Sequence, residues 1–197
     1  MKKLLSLLLA LTMVFALAAC NTGDDNTGND EGTTEPTEPE IVLPESALKL
    51  LESAWAAHNE EEKGYFAGGD FNAMVMGAPG TATDADFINY TLLLPAEQND
   101  NVTEVASLMH AMNGNNLTCV AYKLAEGVDV SAFATAACDA VKNNQWMCGF
   151  PDEVVVYTLG DAYVVVMFGL TDITGAIQDE LTTAHPDLVL AYEGAIA

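Results

Sequence analysis

The chain has 197 residues, with 29 acidic side chains, six lysines and no arginine, for a formal net charge of −23 with histidines neutral. That balance excludes nucleic acid as a partner, because phosphate backbones are held by basic footprints. It also leaves no arginine fork for a phosphate or carboxylate substrate, so cations, neutral ligands and other proteins stay open.

Lys2 and Lys3 precede an apolar run from Leu4 to Ala19. This is the charged start and apolar middle of a secretory signal. A membrane-spanning helix needs about 20 apolar residues, and this run falls short of that. The run ends Leu17-Ala18-Ala19-Cys20, which resembles the lipobox of bacterial lipoproteins. Residues 1–19 are therefore expected to be a signal peptide, with cleavage before Cys20 and diacylglycerol on its sulfur. Such a thiol anchor tethers a chain to a membrane without spanning it. From Asn21 to Glu40 there are only Asn, Thr, Gly, Asp, Glu and Pro residues. A segment with nothing to bury is expected to be a disordered linker. The domain proper is then residues 41–197, carried at the outer face of the cytoplasmic membrane. It keeps 22 of the acids against Lys49, Lys63, Lys123 and Lys142.

Pro44 opens a helical stretch with Leu48, Leu51 and Trp55 at spacings of three and four, expected to fray near His58. Residues Tyr65 to Asp86 are rich in Gly, Pro, Asp and Ala and read as a loop with a short strand at Met74–Met76. Phe87 to Leu94 reads as a strand stopped by Pro95. Asn101 and Glu104 have capping-box spacing ahead of a helix whose stripe is Val102, Val105, Met109 and Met112. Leu117 to Leu124 reads as a strand. Asp129 caps a helix to Asn143, with Val130, Phe133, Ala137 and Val141 inward. Val154–Leu159 and Ala162–Phe168 flank Gly160-Asp161, a type II′ hairpin signal. Three consecutive valines in each strand predict burial on both faces. Asp172 is expected to cap a helix through Ile173, Ile177 and Leu181, and Leu188–Tyr192 closes as a strand. From Leu117 the order is that of a ferredoxin-like βαββαβ unit, helices on one face of an antiparallel sheet. The predicted class is α+β, with that unit extended by the N-terminal helix and a strand–helix pair.

Candidate chemistry is sparse. In "NNQWMCGFPD" (143–152), Cys148 beside Gly149 is either a reactive thiol or part of a hydrophobic plug under the sheet edge. A reactive thiol wants a base, and only His58, His110 and His185 exist to serve. His58 with Glu61 or Glu62 has the helical spacing of a metal pair, or else the glutamates form a solvated face. Asp84 and Asp86 fit a cap or turn better than a calcium loop. Cys119, Cys138 and Cys148 are odd in number, so three thiols or one disulfide are both allowed. No cofactor motif appears.

The stretches "ASLMHAMNGNNLTCVAYKLAEGVDV" and "NNQWMCGFPDEVVVYTLGDAYVVV" resemble a group of uncharacterised lipoproteins of anaerobic, clostridial-type Gram-positive bacteria, sometimes labelled bacteriocin transport accessory proteins. The resemblance implies a surface lipoprotein and brings no catalytic residues with it. The expected function is a non-enzymatic, lipid-anchored binding domain for a protein, glycan or neutral small molecule. The alternative is a thiol- or metal-dependent extracellular enzyme using Cys148 or the His58 region.

Overall fold

The computed structural model describes residues 41–196. The expected signal peptide, Cys20 and the acidic linker lie outside the described residues. Pro39–Ala197 is one compact unit. In chain order it carries α1 (Ala47–Trp55), β1 (Phe66–Gly68), β2 (Val75–Met76), β3 (Gly80–Thr81), α2 (Ala85–Tyr90), β4 (Val102–His110), β5 (Leu117–Leu124), α3 (Val130–Lys142), β6 (Glu153–Leu159), β7 (Tyr163–Gly169), α4 (Thr171–Ala184) and β8 (Val189–Ala195). The strands form one eight-stranded sheet in the order β2-β1-β4-β5-β7-β6-β8, with β3 also beside β4. Every pairing is antiparallel. The fold is α+β.

The valine runs set the centre. Val154 and Val156 of β6 and Val164 and Val166 of β7 face one core, with Phe133, Ala137 and Val141 of α3. Val155 and Val165 face the other, with Leu50, Leu51 and Trp55 of α1 and Ile177 and Leu181 of α4. Each fully buried valine contributes about 2 kcal/mol. Alternation across a strand is thus used on both faces. Gly160 opens the β6–β7 connection at φ +54°, a conformation that favours glycine. Leu159 pairs with Tyr163, so the connection is three residues, 160–162, one longer than the two-residue hairpin expected from sequence.

The ferredoxin-like closure is not what forms. The run β5-α3-β6-β7 gives the expected neighbours, with β7 between β5 and β6. β8, however, adds beside β6, because the free side of β5 is already occupied by β4. The crossovers β5-α3-β6 and β7-α4-β8 therefore step the same way across the sheet from oppositely directed strands. Right-handed connections then place their helices on opposite faces. That is observed: α3 packs in one core and α4 in the other.

The region 85–112 corrects the sequence expectation in the reverse sense. Residues 87–94 are not a strand: Asp84 accepts from Phe87 N at 2.8 Å and starts the short helix α2. Residues 102–112 are not a helix: Val102–His110 is the strand β4, between β5 and the pair β1/β3, and Ala111 and Met112 begin the turn after it. Val105 faces one core while Ala106 and Leu108 face the other. A run with both faces buried satisfies helical and strand spacing alike. Glu104, expected at a capping position, instead sits opposite Lys123 on β5 and bonds it at 2.8 Å, and its other oxygen accepts from Ala47 N at the start of α1. Asp172 is likewise not a cap: α4 begins after Leu170, and Asp152 accepts from Thr171 N at 3.1 Å.

β1 and β3 lie end to end along one side of β4, pairing with Leu108–His110 and Ala106–Ser107. They are in effect one strand, interrupted by the excursion 69–79. The chain leaves at Gly69, φ +86°. It returns so close that a Cβ on Gly68 would stand 2.2 Å from Gly80 N. Only glycine permits that approach.

Candidate functional site

The excursion after β1 is held by one carboxylate. Asp70 is 1 % exposed. Its Oδ1 accepts from Asn72 N (2.9 Å) and Ala73 N (3.1 Å), and its Oδ2 from Thr83 N (2.7 Å), Asp84 N (3.0 Å) and the Thr83 hydroxyl (3.3 Å). The bond from Thr83 N, reinforced by the other three backbone donors, holds its carboxyl at about 2, against the opposing effect of burial. Asp70 thus ties both ends of the segment 70–84 and leaves the next residue facing solvent. Phe71 stands on the edge of the Phe87 ring, centroids 4.8 Å apart.

Two other loops lie nearby: the β4–β5 turn lines one cleft with the excursion, and the 143–152 loop is bonded to that turn. The β4–β5 turn is shaped by His110, whose Nδ1 accepts from Met112 N and Asn113 N. Asn113 then caps the turn Gly114–Asn116 through Asn115 N. The amides of Asn113 and Asn115 donate to Cys148 O (3.3 Å) and Gly149 O (3.0 Å) and so clamp the 143–152 loop against this turn. That loop anchors Trp146 against Phe168, centroids 5.3 Å apart. The plug expectation therefore holds for Trp146 and Pro151 only: Met147, Cys148 and Phe150 are exposed.

The outcome is a rim of large apolar side chains that no other described residue covers. Phe71 is 74 % exposed, Met112 85 %, Met147 87 % and Phe150 71 %. Between the first two loops lies a cleft of about 150 Å³, lined by Phe71, Met74, Phe87, Met109 and Met112. Exposed apolar residues scattered singly are ordinary, whereas a group gathered from three loops marks a contact surface. Wider grooves exist elsewhere. One of about 510 Å³ lies between α1, α2 and β4, and its single carboxylate, Glu104, is already bonded. Another of about 280 Å³ lies between α3 and β8, where Lys142 sits over the Tyr192 ring. Neither gathers comparable exposed side chains.

The residues singled out from sequence for catalysis are not brought together. His58 lies past the end of α1, stacked on Trp55 at 4.0 Å, and its Nδ1 donates to Glu180 at 2.8 Å. Glu62 remains 3.9 Å from its Nε2. Among the described residues no group of three His, Cys, Asp or Glu side chains is placed to hold a metal ion. His110 is engaged in the β4–β5 turn, and His185 sits at the end of α4. His185 Nε2 lies 2.7 Å from Ser53 Oγ, a serine–histidine contact that sequence spacing does not reveal. The same nitrogen is 3.0 Å from Leu50 O, and Ser53 Oγ donates to that carbonyl as well. A nitrogen facing a carbonyl oxygen carries a proton, so Nε2 is a donor here and no base for Ser53. The contact clasps α1 to α4. Cys119, Cys138 and Cys148 are all free thiols, the first two buried and Cys148 exposed. Burial pushes the Cys119 thiol up to about 12 and raises Cys138 as well.

All four lysines of the described residues are engaged: Lys49 with Glu52, Lys63 with Glu60, Lys123 with Glu104, and Lys142 over Tyr192. Comparison with protein-family models, curated proteins and solved structures gave no match. No helix among the described residues is long and apolar enough to cross a membrane.

In the sequence, Met112 fits a helix stripe and Phe71 falls in a loop rich in Gly, Asp and Ala. The available signal was large apolar residues inside stretches otherwise made of Gly, Asn, Ala and Asp, "GGDFNAM" and "AMNGNN".

Proposed function

We propose that the chain is a lipid-anchored binding domain of the cell surface, tethered through Cys20 and the acidic linker, with the rim of Phe71, Met112, Met147 and Phe150 as its contact surface. The anchor rests on the sequence: a charged start, an apolar run and small residues before Cys20. The binding role rests on one structural observation. Four large apolar side chains on three loops stay exposed, although Asp70, Asn113 and Asn115 spend a set of hydrogen bonds holding those loops in place. Such fixed loops present a preformed surface, which lowers the ordering cost of association. A cleft of about 150 Å³ is small beside the roughly 300–1,000 Å³ of small-molecule sites. It suits one anchoring side chain of a macromolecule.

The test compares two versions of residues 21–197, wild type and Phe71→Ser/Met112→Ser/Phe150→Ser, immobilised against a solubilised envelope extract of the producing cell. Both should unfold at the same denaturant concentration, because the altered side chains are exposed. A component retained by the wild type and lost from the triple variant is expected. Identical retention profiles would remove the rim from the account.

A further inference from the structure

Resting on that reading of the rim, we infer that its partner presents a cationic amphipathic helix, laid with its apolar face on Phe71, Met112, Met147 and Phe150 and its lysines or arginines against the surrounding acids.

The chemistry of the rim points to a helix. An extended peptide would need a free strand edge to pair with. The edge nearest the rim is β2, two residues long and ended by Gly77 at φ +75°. That offers too little backbone for strand addition. A helix asks for no backbone pairing. It presents side chains at i, i+3, i+4 and i+7, which a surface of separated apolar knobs with one cleft can receive. Methionine is unbranched and polarizable and adapts to such a face. The rim has two methionines among its four most exposed side chains, with Met74 in the cleft beside them.

Charge decides the sign of the partner. Residues 41–197 carry 22 acids against four lysines, and each lysine already has a partner within the fold. The three rim loops contain no lysine or arginine at all. Asp84 and Asp86 flank them on the α2 side and Asp152 on the other, all at least partly exposed. A field of one sign around an apolar patch selects partners of the opposite sign and speeds their arrival. The same field works against an anionic bilayer, which would otherwise suit exposed Phe and Met residues.

The experiment uses residues 21–197, which keep the whole compact unit Pro39–Ala197. The probe is a fluorescent Leu/Lys peptide of about 18 residues, long enough to hold a helix once docked, with leucines and lysines segregated on opposite faces. Its control is the isomer of the same composition with the two residue types intermixed. At about 0.15 M salt, where long-range attraction is screened, the amphipathic peptide should bind at least about tenfold tighter than its isomer. Met112→Ser/Phe150→Ser should remove most of that preference. Equal affinity for the two isomers, or a preference unchanged by the double variant, overturns the inference. So does rim-dependent binding of the peptide-free protein to phosphatidylcholine vesicles, or rim-dependent self-association. If the peptide preference fails while the triple variant still loses an envelope component, the rim remains a binding surface and only the class of partner is wrong.

Discussion

Asp70→Asn is the most informative single change, because one buried carboxylate holds the loop that presents Phe71. The amide keeps one oxygen acceptor but turns an NH₂ group toward the donors on its other side. With the amide nitrogen at the Oδ2 position, Thr83 N and Asp84 N lose their acceptor; in the opposite orientation Asn72 N and Ala73 N do. Two backbone donors are therefore orphaned either way. Each such loss costs about 1–3 kcal/mol when buried, and partial access to water brings the pair to about 2–3 kcal/mol. The same bonds hold the carboxyl low, which gives the effect its pH dependence. A carboxyl lowered from 3.8 to about 2 corresponds to about 2 kcal/mol of preference for the charged form. Its sign is fixed: the folded value lies below the unfolded one. The stabilisation is therefore complete above about pH 4–5 and drains away as pH falls toward 2. Urea unfolding followed by tryptophan fluorescence reads both effects. With a slope of about 2 kcal/mol per molar, the midpoint at pH 7 should drop by about 1 M in the variant. The wild type should lose more stability than Asp70→Asn between pH 5 and pH 2.5. A variant with the wild-type midpoint and the wild-type acid slope would show that the carboxylate does not hold this segment.

Val165 is fully buried on β7, so Val165→Asp should cost about 4 kcal/mol by burying an unpaired charge; a midpoint near wild type would contradict the central placement of β7. Gly160→Val, at φ +54°, should cost about 1–2 kcal/mol through backbone strain, read in the same titration. In the native Cys20→Ser chain, a thiol reagent should modify Cys148 rapidly and Cys119 only on unfolding, because Cys148 is exposed and burial holds the Cys119 thiol at about 12; equal rates would place Cys119 at the surface. Cys20→Ser should also lose membrane retention and the added lipid mass, and unchanged values of both would defeat the anchor.

From Leu117 onward the secondary structure could be read from sequence because several local signals agree there. Asp129 caps α3 through Ser131 N and Ala132 N. Gly160 supplies the turn, and two valine triplets announce strands buried on both faces. The strand order was not legible, since whether β8 joins β5 or β6 depends on β4 already occupying one side. β4 itself was hidden by a spacing that serves a helix as well as a two-sided strand. β1 and β3 were hidden by their brevity, for neither exceeds three residues and both depend on the edge of β4. The rim could not be read for a related reason. Met112, Met147 and Phe150 are apolar residues that ordinarily pack inward, and only the fold shows that they are exposed among the described residues. Asp70 carried no sequence signal beyond its place in a glycine-rich loop, as its bonds to Thr83 and Asp84 form only when that loop closes.

The most direct measurement of the central claim is photo-cross-linking in the intact producing cell, with a benzophenone side chain at position 112 in one strain and at position 179 in another. Met112 lies on the rim, whereas Asp179 is exposed on α4, which packs against the opposite face of the sheet. A discrete adduct from position 112 in the membrane fraction, absent from position 179, is the predicted result. No adduct from position 112, or the same adducts from both positions, would contradict the assignment of the rim as the binding surface.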